Sequence, residues 1–320
     1  MRVALLFIDG VGIGRRDPEV NPLARGEFLL SQFQNGTGTP LPPGGAMAEV
    51  DTTFGVPGRP QSASNQTAIL TGLPAPRMIG KHLLGYPNQA LREILSAHSV
   101  VKQLVEAGHR ALFANAYPAG YLDALGLARR PSSHPDVTIP EKAKRGLRPS
   151  ASLEAMAAGG VVIHTLDDAR DGRAITHDID GERARRRGFR VPPRTPEQAA
   201  EILWAAAGST QLVMFEHFLA DEAGHARDMP AALRALTTFD RFARAVVGAR
   251  PDDAHVIICS DHGNVEDLST RSHTLGRVAL LWFGPDAERH VRGIADVAGV
   301  GRAILELFGI APPLLPEAGQ

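Results

Sequence analysis

A single cysteine, Cys259, in a chain of 320 residues leaves no partner for an intrachain disulfide and points to a reducing compartment. It lies inside the apolar run HVIICSD, where an isolated thiol is a small hydrophobe. No apolar stretch approaches the roughly 20 residues that a membrane helix needs. The amino-terminal run, residues 3–8, is too short for a signal-peptide core and ends on an acid. The expectation is a soluble cytoplasmic protein with no membrane partner. Net charge is scarce as well. A formal −1 offers no global field for nucleic acid or anionic lipid. Lysine is rare: four of the 34 basic side chains are Lys81, Lys102, Lys142 and Lys144, and the rest are arginines. The planar guanidinium suits phosphate and carboxylate, although genome base composition accounts for most of such a bias.

What is present is an ordinary globular balance, 43% hydrophobic and 22% charged. Short continuous apolar runs at 3–8, 111–115, 161–165, 212–215, 255–260 and 278–283 read as strands covered on both faces. Helical patterns lie between them, near 65–71, 88–95, 100–107, 152–158, 196–206, 229–247 and 297–307. Thr195, Pro196 and Gln198 supply a cap, a first-turn proline and a capping box for one of these helices. Ala231, Leu233, Leu236, Phe239, Phe242 and Val246 recur at helical spacing in another. The alternation predicts an α/β fold, a three-layer αβα core around a mostly parallel central sheet.

Two segments depart from the pattern. Residues 36–58, rich in Gly, Pro and Thr, read as a loop leading to Ser62. Residues 118–194 read as a small inserted cap, leaving 1–117 and 195–320 as the core. Within the cap, the arginine run at 183–187 raises the question of nucleic acid. Acids at Asp178, Asp180 and Glu182 balance it, and no aromatics offer a stacking platform. A solvated helix face is the better reading, with no nucleic-acid partner.

Acids and histidines collect at strand ends. Asp9 follows the first strand directly. Asp221 and His225 form a D-x-x-x-H pair after the run at 212–215. Asp261 and His262 follow the run at 255–260, and His273 comes eleven residues later. Ligands of open α/β sheets bind outside the carboxyl ends of strands, so three strands deliver these groups to one edge. Each alone has a plain explanation, such as an aspartate capping the next helix. Two ionisable groups directly after a buried strand are costly without partners. Carboxylate oxygens and imidazole nitrogens suit Zn²⁺ or Mn²⁺. The stretch 60–72 opens a short helix ending at Gly72. A hydroxyl at its start, Ser62 or Ser64, is either the helix cap or a nucleophile facing the positive end of the dipole.

The order Asp9, Ser62, Asp221, His225, Asp261, His262, His273 resembles the alkaline phosphatase superfamily of two-metal enzymes. The segments SDHGNVE (260–266) and SHT (272–274) are similar to its branch of cofactor-independent phosphoglycerate mutases and phosphopentomutases. The resemblance covers about 1–115 and 195–310. It implies that Ser62, ten residues before Gly72, is the nucleophile, and that Asn65 hydrogen-bonds a phosphate oxygen. It implies two divalent metal ions (Zn or Mn), one held by Asp221, His225 and His273. The other would be held by Asp9, Asp261 and His262, with Ser62 bridging to it. The context Ser62-Ala63-Ser64-Asn65-Gln66 lacks the Pro and Arg of sulfatases.

The expected activity is phosphoryl transfer through a phosphoserine, most simply hydrolysis of a small phosphate ester. A phosphomutase is the alternative, and a non-catalytic binding protein that kept the fold is the second. Arg129, Arg130, Arg148 and His177 are candidate phosphate contacts in the cap. Lys81 and His82, just past the nucleophile helix, read as a surface loop.

Overall fold

The computed structural model describes residues 1–133, 139–208 and 210–314. Eight strands run in chain order: β1 (Arg2–Ile8), β2 (Gly45–Val50), β3 (Ala111–Phe113), β4 (Ala116–Tyr117), β5 (His164–Thr165), β6 (Leu212–His217), β7 (Ala254–Cys259) and β8 (Val278–Phe283). Six form one sheet in the order β2-β8-β7-β1-β6-β3, and β4 pairs with β5 apart from it. β7, β1, β6 and β3 are mutually parallel, whereas β8 runs antiparallel to both of its neighbours, β7 and the edge strand β2.

The apolar runs are continuous because both faces of the sheet are covered. In β1, Val3, Leu5 and Phe7 join one hydrophobic cluster, while Ala4, Leu6 and Ile8 join the other. The first cluster is closed by the helices Ser62–Thr71, Gln89–His98, Val100–Glu106, Ala151–Ala158 and Ala298–Leu307. The second is closed by Pro196–Ala207, Leu219–Ala226 and Met229–Gly248. The fold is therefore the expected helix–sheet–helix sandwich. Parallel register sets the chemistry: Ile8 lies opposite His217, and Phe7 opposite Cys259. The loops leaving β1, β6 and β7 thus emerge side by side.

The structure corrects two expectations and adds a detail to a third. Residues 36–58 are not all loop, because β2 pairs along its length with β8. This edge strand, GAMAEV, is only partly buried and carries small and polar residues, so its apolar signal is weak. The run at 161–165 is a strand only at His164–Thr165. The segment 118–194 is not wholly separate from the core. Ser150 caps the helix Ala151–Ala158, which buries Leu153, Ala155 and Met156 within the main cluster. Only Leu166, Ala169, Ala174 and Val191 build a small cluster of their own with Ala116.

Candidate metal centre

Asp9 is the first residue beyond β1 and is 7% exposed. Gln66 Nε2 donates to its Oδ2 at 3.2 Å, while its Oδ1 is buried with no hydrogen-bond partner. Gly10 follows at φ +72°, and a Cβ there would stand 2.5 Å from Asp221 Oδ1. Only glycine lets the β1 loop approach that carboxylate. Asp261, fully buried, accepts from Gln66 Nε2 at 3.1 Å. Burial, reinforced by neighbouring carboxylates, pushes Asp9 well above the usual carboxylate range. Burial and Asp221 together raise Asp261 to about 6. Two acids held so close in a dry site call for a cation.

The imidazoles answer from the other side. His262 Nε2 lies 3.3 Å from Asp261 Oδ2 and 3.5 Å from Asp9 Oδ1. His273 stacks on His262 with centroids 3.7 Å apart. Burial lowers both rings to about 4, so each is neutral at pH 7 and keeps a ring nitrogen lone pair. His273 Nδ1 donates to the Pro60 carbonyl at 2.8 Å, and His225 Nδ1 to the Arg271 carbonyl at 2.7 Å. These bonds turn each Nε2 inward, the orientation seen in metal-ligating histidines. The two Nε2 atoms meet at 3.1 Å. His225 Nε2 also lies 3.2 Å from Asp221 Oδ2, a contact that raises the pKa of that imidazole. Burial alone would raise Asp221, yet hydrogen bonds from His225 and Asn264 and the nearby His262 bring it down to about 2.

Two ligand sets follow from distance alone: Asp9, Asp261 and His262, and Asp221, His262 and His273. In each, the donor atoms lie within 4.8 Å of one another. His225 abuts the second set through Asp221 and His273. The six residues anticipated as ligands therefore come together in one cluster, with Asp9, Asp261, His262 and His273 buried, Asp221 half-buried and His225 exposed at its rim. Their oxygen and nitrogen donors fit divalent cations, and the orphaned Asp9 Oδ1 and converging Nε2 atoms are what such ions would satisfy.

Ser62 opens its helix, and its Oγ lies 2.9 Å from His262 Nε2. The N-cap is Gln61, so Ser62 is not the cap. Ser64 is fully buried and already engaged: its Oγ donates to the Gln61 carbonyl and accepts from Leu83 N.

Asn65 departs from the expected phosphate contact. Its Nδ2 donates to the carbonyls of Thr52 at 2.8 Å and Asp261 at 2.9 Å. Both amide hydrogens are thereby used, which leaves no donor for a phosphate oxygen. Asn65 instead ties the nucleophile helix to the β7 loop. The candidate phosphate contacts of the 118–194 segment are also held locally. Arg129 pairs with Asp123 and Arg130 with Asp168. Arg148 donates to the carbonyls of Arg145 and Leu147. His177 packs edge-on against Tyr117 and bonds Asn115. In the arginine run, Arg183 pairs with Glu222 and Arg186 with Glu182.

Three supporting residues escaped the sequence reading: Gln66, Asn264 and Glu266. Asn264 Nδ2 donates to Asp221 Oδ1 at 2.6 Å. The buried carboxylate of Glu266 accepts from Gly12 N at 2.9 Å, Asn264 N at 2.8 Å and the Thr274 hydroxyl. It thus joins the loops after β1 and β7 to the segment bearing His273. The motif at 260–266 contained both residues, but composition carries no sign of which loop a carboxylate will bind.

Comparison with known proteins finds relatives in sequence and in fold. Residues 192–312 match the family model described as Metalloenzyme superfamily. A 2,3-bisphosphoglycerate-independent phosphoglycerate mutase of Haloarcula marismortui is 28% identical over 130 residues, 38% of this chain and 25% of the relative. A phosphopentomutase of Allorhizobium ampelinum is 36% identical over 90 residues, 28% of this chain and 22% of the relative. The matches thus span about a quarter of the length of these curated relatives. The alkaline phosphatase of the Antarctic bacterium TAB5 superposes with a TM-score of 0.55 at 15% identity, over 96% of this chain and 98% of that one, a likeness of fold. No helix among the described residues is long and apolar enough to cross a membrane.

Proposed function

We propose that this chain, which carries the alkaline phosphatase fold and a metalloenzyme-superfamily sequence over residues 192–312, transfers the phosphoryl group of a small phosphate ester through Ser62. The observation that carries the reading is the position of Ser62 Oγ, 2.9 Å from His262 Nε2 at the first turn of a helix. Backbone N–H groups of such a turn receive phosphate oxygens. Asp9, Asp261 and His262 would hold one divalent ion, zinc or manganese, and Asp221, His225 and His273 a second. Bound there, the pair would supply the positive charge that favours the Ser62 alkoxide and offsets the phosphoryl oxygens.

The chain's own part is placement. Gln66 spaces the Asp9 and Asp261 carboxylates. Pro60 and Arg271 fix the tautomers of His273 and His225. The Ser62 oxygen attacks phosphorus in line, the ester oxygen departs with a proton, and a phosphoserine results. Water then frees phosphate and restores the hydroxyl.

Hydrolysis is favoured over transfer to a second substrate hydroxyl because a mutase must retain its intermediate and exclude water. Arg129, Arg130 and Arg148, the residues best suited to that retention, are engaged by local carboxylates and carbonyls. The mutase reading draws on the names of the two curated relatives. Metal-loaded protein should be screened against monoesters, diesters and sugar phosphates, beside Ser62→Ala. Phosphate release that depends on Ser62 supports hydrolysis. Isomerised sugar phosphate without release supports the mutase. Metal binding with neither activity leaves a binding protein.

A further inference from the structure

A cavity lined by arginines stands apart from the metal centre, toward the far end of the helix that Ser62 opens. The short helix Ala287–Val291, the loop after it and the helix Ala298–Leu307 enclose a cavity of about 540 Å³. Small-ligand sites fall in the range of roughly 300–1,000 Å³. Its charged wall consists of Arg289, Arg292, Arg302 and one acid, Glu306. Arg302 forms the base. Its Nη1 donates to the carbonyl of Gly72 at 2.8 Å, and its Nη2 to Asp296 Oδ1 at 3.0 Å. Gly72 is the C-cap of the helix that Ser62 opens, so Arg302 ties the cavity wall to the end of that helix. The guanidiniums of Arg289 and Arg292 make no hydrogen bond or ion pair with any described residue. His290 joins the wall with its ring stacked on Trp282, 5.0 Å between centroids, which holds it in place.

Arg302 is paired with Asp296, which leaves the guanidiniums of Arg289 and Arg292 on one cavity wall with Glu306 as the acid beside them, and like charges at close range repel. A planar fork of N–H donors matches the oxygens of a phosphate in pairs. The volume exceeds that of a lone phosphate and leaves room for an organic group. We propose that this cavity binds a phosphate group, free or at the end of a small organic molecule, through the guanidiniums of Arg289 and Arg292, with Arg302 held as the base by Gly72 and Asp296. The site is independent of the chemistry at Ser62 and does not rest on the reading of the metal centre.

Equilibrium dialysis with labelled orthophosphate tests it, at 0.15 M salt so that weak surface pairing is screened. Metal-stripped wild-type protein should still bind phosphate. The double variant Arg289→Glu/Arg292→Glu, in exposed positions, should bind at least about tenfold more weakly, the scale of lost charge-assisted hydrogen bonds. Its thermal midpoint and its metal content should match wild type. A non-hydrolysable hexose phosphonate run in parallel identifies the source: tighter binding than orthophosphate assigns an organic phosphate, and equal binding assigns free phosphate. The proposal is overturned if metal-stripped wild type binds neither probe, or if the charge reversal leaves binding unchanged.

Discussion

The Nε2 atoms of His225 and His273 lie 3.1 Å apart, and the Nδ1 of each ring donates to a main-chain carbonyl. Neutral rings so oriented would face each other lone pair to lone pair. In the structure the contact with Asp221 favours a proton on His225, and its pKa rises accordingly. A divalent ion held by His225 and His273 would take the place of that proton. Metal binding should therefore release protons and weaken as pH falls through the raised His225 value. Calorimetric titrations of metal in buffers of different ionisation enthalpy will show the release. Affinity that stays constant from pH 8 to pH 5 contradicts it.

Metal should also stabilise the fold. A ligand that binds only the native state at a thousand times its Kd adds about 4 kcal/mol. A chelator should lower the thermal midpoint of the loaded protein, and His273→Ala should reduce both the shift and the bound metal by one ion. Differential scanning calorimetry with metal analysis checks both outcomes.

Glu266 links three loops through one carboxylate. Glu266→Ala leaves two buried N–H groups and the Thr274 hydroxyl without an acceptor and should cost about 3 kcal/mol or more. Glu266→Gln retains one acceptor oxygen and should cost less. Both should weaken metal binding about 10- to 100-fold, the usual penalty for losing a group that orients ligands. Denaturant melts and metal titrations on the two variants decide this.

Asp168 is buried and accepts from Thr165 N, Arg173 Nε and the Arg130 guanidinium. Burial alone would raise its pKa, but these partners overcome it and hold the carboxyl below its usual value. A depressed carboxylate stabilises the native state above its unfolded pKa and loses that contribution as pH falls through the folded one. The stability gap between wild type and Asp168→Asn should be full at pH 7 and shrink below about pH 4. A gap that grows on acidification would reverse the sign.

How far the sequence revealed this site depends on the job each residue does. Asp9, Asp221, Asp261 and His262 were legible because buried strands deliver them and ionisable groups at such ends need partners. Spacing leaves Ser62 and Ser64 both open, and the choice of Ser62 rests on family resemblance. The structural difference between the two lies in the turn at Gln61 and in Leu83, which occupies Ser64. Asn65 sits one turn past Ser62, a position that fits a phosphate contact in the sequence; only the fold brings the Thr52 and Asp261 carbonyls to its amide. β2 was missed because an edge strand with one covered neighbour needs few large apolar residues. The helix Ala151–Ala158 was assigned to a cap because its surroundings are polar, although its own buried face belongs to the core.

The central claim is that Ser62 receives the phosphoryl group. Intact-mass spectrometry of the metal-loaded protein, quenched in acid during turnover of a phosphate ester, tests it most directly. The account predicts a species heavier by one phosphoryl group, mapped to Ser62 and absent from Ser62→Ala, whose metal content is unchanged. Turnover in which Ser62→Ala keeps the wild-type rate and no phosphoserine forms would contradict it.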